Sequence, residues 1–189
     1  YTRKIVGSVD VYKDSPDTTP GTGGYIHPGD AIVILSGIIL GPACGFLAGG
    51  IGSALADLAG GYFFYVPITL IIKGLISLLS AVIYRKVSGR GRHRYLGVAL
   101  GGITDIVLVA GGYFFCESFL YGIGGAAASI PANLIQGVSG LAISLVLYPV
   151  LTAVPDVRKM LAAPDIRQKV FCFLSSAYVP ADFDTKEKA

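Results

Sequence analysis

The fold of this chain is decided by the stretch AIVILSGIILGPACGFLAGGIGSALA, residues 31–56. The stretch carries no charged side chain and is interrupted at Gly41-Pro42. Because a glycine followed by a proline is a strong turn signal, the pattern predicts two adjacent helices, at about 29–41 and 43–60. An uncharged run of this length is typical of a chain that crosses a lipid bilayer.

Further apolar runs follow and predict helices at about 67–84, 96–116 and 131–153. A connection rich in glycine and alanine is expected at 117–130. The 189 residues are 53% hydrophobic and 14% charged, whereas a soluble domain carries about 25% charged residues. We therefore expect an all-α fold, a polytopic membrane helix bundle with five spans.

Charged residues concentrate outside the apolar block and divide the chain into three parts. We expect a polar N-terminal segment at 1–24, a transmembrane bundle at 25–155 and a cytoplasmic tail at 156–189. Five arginine and lysine residues in the segment 85–94 mark a cytoplasmic loop by the positive-inside rule. The segments 60–66 and 117–130 then face the outside, and the turn at Gly41 faces the inside.

A small set of polar and aromatic side chains is predicted on the outer side of the bundle. Ionisable groups within membrane helices are costly and are functional candidates by default. Aromatic rings beside hydrogen-bonding groups suit a small, flat, polar heterocycle. Asp105 sits in the middle of its helix and apart from this set. The candidate binding residues are Tyr25, His27, Asp30, Asp57, Tyr62, Tyr65, Lys73, Glu117, Tyr121, Asn133 and Gln136.

Several of these candidates have a purely structural interpretation that the sequence leaves open. Asp57 and Lys73 could form an ion pair between adjacent helices. Asn133 and Gln136 lie three residues apart on one helix face, where amides either join helices or bind a ligand edge. Asp30 is also a good first-turn residue for a helix, and His27 could be an exposed loop residue.

The motifs of several functional classes are absent from the sequence. There is no phosphate-binding glycine loop, no GxSxG nucleophile elbow and no HExxH zinc motif. The three cysteines lack disulfide or metal-ligand spacing. A net charge of +3 is too small to indicate nucleic-acid binding. We therefore expect no enzyme activity, no metal and no cofactor.

Three runs together resemble the substrate-binding S component of energy-coupling factor (ECF) vitamin transporters. They are the run from GTGGYIHPGD to IIKGL at 21–75, YFFCESFLYG at 113–122 and IPANLIQG at 130–137. The subgroup that they resemble most is the riboflavin-type and hydroxymethylpyrimidine-type S components.

The resemblance implies a six-helix protein of the bacterial plasma membrane that binds a vitamin or precursor from outside. The substrate class would be hydroxymethylpyrimidine, pyridoxine or riboflavin. The resemblance also implies a transmembrane coupling subunit and two cytoplasmic ATPase subunits as partners. TRKIV at 2–6 looks like the family's first helix start, but its apolar continuation is absent. The first of the six helices is therefore expected to be missing or altered.

The sequence leaves two other function classes open. A self-sufficient small transporter or channel would need an inverted repeat or discontinuous helices, and the sequence shows no convincing internal symmetry. A membrane enzyme using Asp57 and Glu117 would need those two carboxylates to come together.

Overall fold

The computed structural model describes residues 29–88 and 93–162, and the regular structure within these two ranges is entirely helical. The predicted polar segment 1–24, the candidates Tyr25 and His27, and the tail from residue 163 lie outside the described residues. The helices are α1 (Asp30–Leu40), α2 (Pro42–Ala59), α3 (Val66–Ser88), α4 (Arg94–Ala153) and α5 (Pro155–Ala162).

The turn between α1 and α2 consists of one residue, Gly41, with a φ of 89°. Only glycine adopts such a conformation at little cost, and Pro42 at the first position of α2 is already suited to a helix start. The turn predicted at Gly41-Pro42 is therefore confirmed, and both helix bounds agree with the sequence to within one residue or two.

Small residues bring α1 and α2 together as an antiparallel pair. A Cβ built on Gly45 would lie 2.5 Å from the Cα of Gly37, and one built on Gly49 would lie 3.2 Å from Val33 Cγ1. The members of each pair stand equally far from Gly41 on its two sides, as antiparallel packing requires. In lipid the hydrophobic effect does not hold helices together, so van der Waals contact between closely packed backbones stabilises the pair instead.

The chain from Arg94 to Ala153 corrects the sequence prediction. The segment 117–130 was expected to be a connection, but it is helical except at Gly122, where φ is 76° and ψ is 166°. Alanine at 126–128 favours helix, and a single glycine is enough to redirect the backbone. The predicted helices at 96–116 and 131–153 are therefore longer than expected and meet at Gly122.

The two arms of α4, residues 94–121 and 123–153, pack against each other in antiparallel directions. A Cβ on Gly102 would lie 2.4 Å from Leu141 Cδ1, and one on Gly137 would lie 2.8 Å from the Cα of Ile106. These partners stand at nearly equal distances along the chain from Gly122. At 1.5 Å per residue the arms are about 42 and 46 Å long, so each can cross the hydrocarbon core of a bilayer, which is about 30 Å thick.

Helices α2, α3 and α4 are long enough and apolar enough to cross a membrane. Large apolar side chains cover the outside of the bundle; examples within the helices are Leu55, Val107 and Val146. An exposed apolar surface of this extent is expected where lipid rather than water surrounds a protein. The prediction of an all-α membrane helix bundle is confirmed.

Helix α1 is different because it is central and short. Its side chains Ile34, Leu35 and Ile38 are fully buried against the other helices. Its 11 residues extend about 16 Å, half the thickness of the hydrocarbon core. The N-terminus of α1 therefore lies inside the bundle.

Hydrogen bonds between helix ends define two ends of the bundle. Tyr65 Oη donates to Glu117 Oε1 over 3.0 Å, which brings the turn after α2 and the turn at Gly122 to one end, hereafter the Gly122 end. At the opposite end the hydroxyl groups of Tyr84 and Tyr148 lie 2.6 Å apart. This pairing of turns is the one predicted from the sequence, and their assignment to the outside and inside of a membrane stays a prediction.

Candidate functional site

A buried polar cluster lies where the N-terminus of α1 meets the longer helices. We call it the core cluster, and its members are Asp30, Lys73, Asp105 and Gln136. Lys73 Nζ forms an ion pair with Asp30 Oδ1. Gln136 Nε2 donates to the other oxygen, Asp30 Oδ2, over 2.9 Å. Asp30 therefore joins α1 to α3 and to the second arm of α4.

The Lys73–Asp30 ion pair is almost wholly shielded from solvent, since Lys73 is 3% exposed and Asp30 is 0% exposed. Buried charges are tolerated when they are paired and hydrogen-bonded. The sequence had suggested Asp57 as a structural partner for Lys73, and the structure places Lys73 against Asp30 instead. Asp30 begins α1, as predicted, but it does so within the bundle rather than at the outer end.

Asp105 extends the core cluster from the first arm of α4. A Cβ on Gly140 would lie 2.7 Å from Asp30 Cβ and 3.1 Å from Asp105 Oδ2. The two aspartates therefore converge on the same glycine of the second arm. Asp105 is 0% exposed, and among the described residues neither of its carboxylate oxygens has a hydrogen-bond partner.

A second polar cluster lies at the Gly122 end; we call it the turn cluster, and it consists of Tyr65, Glu117, Ser129 and Asn133. Glu117 accepts from Tyr65 Oη through Oε1 and from Ser129 Oγ through Oε2. Asn133 Nδ2 lies 3.4 Å from Ser129 Oγ and donates to it. The cluster therefore gathers a carboxylate, a phenol, a hydroxyl and an amide from α4 and from the turn before α3.

Aromatic rings connect the turn cluster to the core cluster. The ring centroids of Tyr65 and Tyr113 lie 6.3 Å apart. The Tyr113 hydroxyl lies 2.9 Å from Thr69 Oγ1, and Lys73 Nζ lies 5.9 Å from the Tyr113 ring centroid. Two tyrosine rings, a threonine hydroxyl and the Lys73 ammonium group thus form a continuous row between the two clusters.

The phenol of Tyr65 is held in its neutral form. Burial, the neighbouring Tyr121 hydroxyl and the charge of Glu117 all raise the pKa of Tyr65 above its ordinary value. A protonated phenol can donate a hydrogen bond, which a phenolate cannot do. Tyr65 is therefore protonated at neutral pH and donates to Glu117.

The remaining candidates also lie at the Gly122 end. Asp57 is buried in the last turn of α2, and its carbonyl oxygen accepts from the Tyr62 backbone N–H over 2.8 Å. Tyr121 is exposed in the last turn before Gly122. Asn133 and Gln136 were predicted as one paired amide set, but the structure directs Asn133 to the turn cluster and Gln136 to the core cluster.

Sequence reasoning missed three polar residues that support these clusters: Thr69, Tyr113 and Ser129. Each precedes a predicted residue by four positions; these residues are Lys73, Glu117 and Asn133 respectively. Side chains four residues apart lie on the same helix face. That spacing is the signal that could have found them.

The described residues bring together no group of three histidine, cysteine, aspartate or glutamate side chains that could hold a metal ion. Cys44 and Cys116 are free thiols. The two clusters consist of carboxyl, amide, hydroxyl and ammonium groups, all of which can form hydrogen bonds to a polar ligand.

A helix bundle with an apolar outer surface and a buried polar interior is the architecture of a membrane protein that can bind a polar ligand between its helices. The family model for "ECF-type riboflavin transporter, S component" matches residues 16–153, and this chain belongs to that family. The resemblance found in the sequence is thereby confirmed. The family is the substrate-binding component of a vitamin transporter and not an enzyme, so the chain is part of a vitamin or precursor uptake system.

Two curated proteins are similar in sequence. An uncharacterized protein of Pyrococcus woesei is 38% identical over 124 residues, which are 66% of this chain and 80% of that protein. The thiamine precursor transporter HmpT of Lactococcus lactis is 30% identical over 105 residues. That match spans 56% of this chain and 56% of HmpT. No solved structure matches the chain.

Proposed function

We propose that this chain is the high-affinity substrate-binding subunit of an ATP-driven micronutrient importer. It captures a small heterocyclic vitamin or vitamin precursor of the hydroxymethylpyrimidine, pyridoxine or riboflavin class from outside the cell. The binding bundle is residues 25–155. The site comprises the predicted set, including Tyr25 and His27 from the segment before α1, with Thr69, Tyr113 and Ser129 added.

One observation carries this proposal. At the Gly122 end, the rings of Tyr65 and Tyr113 adjoin hydrogen-bonding groups that are contributed by α3 and by both arms of α4. A flat heterocycle is bound by stacking on its faces and by hydrogen bonds at its edges. Glu117 supplies acceptors for ring N–H or hydroxyl groups, and Asn133 supplies both a donor and an acceptor.

The relatives support the substrate class at two levels. The family description names riboflavin, whereas the name of the relative HmpT specifies a thiamine precursor. A flavin and a pyrimidine are both planar and carry alternating donors and acceptors. We therefore propose that the substrate is a planar nitrogen heterocycle. A ligand screen distinguishes a flavin from a pyrimidine.

The same proposal includes the partners and the location of the chain. A transmembrane coupling subunit and two cytoplasmic ATPase subunits would drive uptake through a chain that has no nucleotide-binding motif of its own. All four subunits would lie in or on a bacterial plasma membrane. A chain that copurifies with no ATPase, yet transports alone in vesicles, would favour a self-sufficient transporter instead.

A thermal-shift screen of the purified full chain in detergent tests the substrate class. The panel contains riboflavin, hydroxymethylpyrimidine, thiamine, pyridoxine and, as a non-aromatic control, pantothenate. A bound ligand stabilises the folded state by mass action, by about 2.7 kcal/mol at a concentration 100 times its Kd. One planar heterocycle should therefore raise the Tm clearly. A panel without any shift, or a shift only with pantothenate, would contradict the proposal.

A further inference from the structure

The core cluster contains more negative groups than positive ones. Two carboxyl groups, Asp30 and Asp105, are both 0% exposed and share one ammonium group, that of Lys73. Lys73 and Gln136 occupy the two oxygens of Asp30. If both carboxyls were ionised, the cluster would hold an uncompensated negative charge in the interior of a membrane protein, where an unpaired charge is strongly disfavoured.

We propose that Asp105 is a proton-binding site in the core of the bundle and that the arrangement seen here is its protonated state. A proton is the cation that fits, because it binds to a single carboxylate oxygen, whereas a metal ion needs several ligands and the described residues offer no group of three metal-ligating side chains here. Protonation makes the cluster neutral, with Asp30 and Lys73 as the ion pair and Asp105 as an uncharged acid. The proposal does not depend on which vitamin the chain binds.

The charged neighbours of Asp105 come from two of the elements packed around it. Helix α1 contributes Asp30, and α3 contributes Lys73. The second arm of α4 contributes Gln136 and Gly140, and residues 123–153 contain no charged side chain. Within residues 29–88 and 93–162, the balance is therefore set by one ammonium group and two carboxyls, and loss of the proton would make Asp105 compete with Asp30 for Lys73.

This competition gives the proton a structural consequence. Asp30 holds the N-terminus of α1, whereas Asp105 belongs to the first arm of α4. Transfer of Lys73 from Asp30 to Asp105 would remove the ion pair between α1 and α3 and would join α3 to α4 instead. Proton binding at Asp105 thus preserves the Lys73–Asp30 ion pair that joins the N-terminus of α1 to α3.

Infrared spectroscopy of the detergent-purified full chain tests the proposal. A protonated carboxyl has a C=O stretching band distinct from that of a carboxylate, and the band shifts in D2O. At pH 7 the wild type should show a component that is lost in Asp105→Asn and retained in Asp156→Asn. Asp156 is the matched control because it is half-exposed and lies in α5, at the end opposite the Gly122 end.

Each outcome of this experiment bears on the proposal. Absence of a protonated-carboxyl band from the wild type at pH 7 would overturn it, and so would a band unchanged in Asp105→Asn. If Asp105→Asn does not fold, Asp30→Asn gives a second test. In the core cluster Asp105 would then be the only carboxyl left to balance the charge of Lys73, so the band should be lost. Its undiminished persistence would overturn the charge balance on which the proposal rests.

Discussion

Glu117 and Ser129 stand twelve residues apart in what is otherwise one helix, yet the Ser129 hydroxyl donates a hydrogen bond to the Glu117 carboxylate. In a straight helix the two residues would be about 18 Å apart. Their contact therefore depends on the reversal at Gly122, and the turn cluster exists because of one backbone conformation.

Replacement of Gly122 by alanine should destabilise the protein by about 1–3 kcal/mol. Its combination of positive φ and extended ψ is essentially restricted to glycine, and other residues pay a cost of that order. Steric crowding is not the reason, since a Cβ at this position would have no heavy atom within 4 Å among the described residues. The measurement is the thermal unfolding of Gly122→Ala in detergent.

Gly124→Ala is the matched control for that substitution. Gly124 has equally open surroundings but no positive φ, and alanine is favoured over glycine within a helix by about 0.5–1 kcal/mol. This variant should be neutral or slightly more stable. Equal destabilisation by the two substitutions would contradict the role assigned to the conformation of Gly122.

The contact of α1 with α3 should not tolerate one added methyl group. A Cβ on Gly37 would lie 1.9 Å from the carbonyl oxygen of Ser77. Because this atom belongs to a helix backbone, it cannot rotate away as a side chain could, and Gly37→Ala should cost about 3 kcal/mol or more. Gly52→Ala on α2 has open space and should keep the wild-type Tm. The measurement is thermal unfolding in detergent, and equal Tm values for the two variants would refute this packing.

The two ion pairs of the described residues should differ strongly in energy. Lys73→Met leaves the buried Asp30 without its cation and should cost about 3–5 kcal/mol. Lys159→Met breaks an exposed pair with Asp156 and should change the stability by less than about 1 kcal/mol. Because Asp30→Asn removes the unpaired charge, the double variant Asp30→Asn/Lys73→Met should recover part of the loss. Additive effects in this cycle would exclude a direct Lys73–Asp30 interaction.

Alanine at Asn133 and Gln136 should abolish the thermal shift caused by the ligand that the screen identifies. Asn133→Ala should do so with little change in the stability of the free protein, because its amide is only partly buried. Ser139→Ala is the control on the same arm, since its hydroxyl bonds only to the helix carbonyl of Ile135 among the described residues. Full ligand affinity in Asn133→Ala would remove this residue from the site.

Local signals explain which turns could be predicted. Gly41 is followed by a proline, so the glycine conformation and the helix start are both encoded within two residues. Gly122 is one of several glycines between apolar helical residues, and no polar loop accompanies it. A reversal that uses a single residue leaves almost no trace in composition, which is why a longer connection was expected there.

The candidate site shows the same limit at longer range. The sequence identified Asp30, Lys73 and Gln136 individually, because polar groups in apolar runs are conspicuous. Their convergence depends on the N-terminus of α1 lying inside the bundle. Lys73 is 43 residues and Gln136 is 106 residues from Asp30 along the chain. No local pattern encodes such a meeting, so Asp105 was left outside the predicted site although it shares the core cluster.

The turns at Gly41 and Gly122 restrict how the bundle can move. A helix joined to its neighbour by a single residue has no slack, so it cannot slide along that neighbour by even one helical turn of about 5.4 Å. Two helix pairs are therefore expected to move as rigid units. One pair is α1 with α2, and the other consists of the two arms of α4. Any relative movement of these two helix pairs is therefore a tilt of one pair against the other.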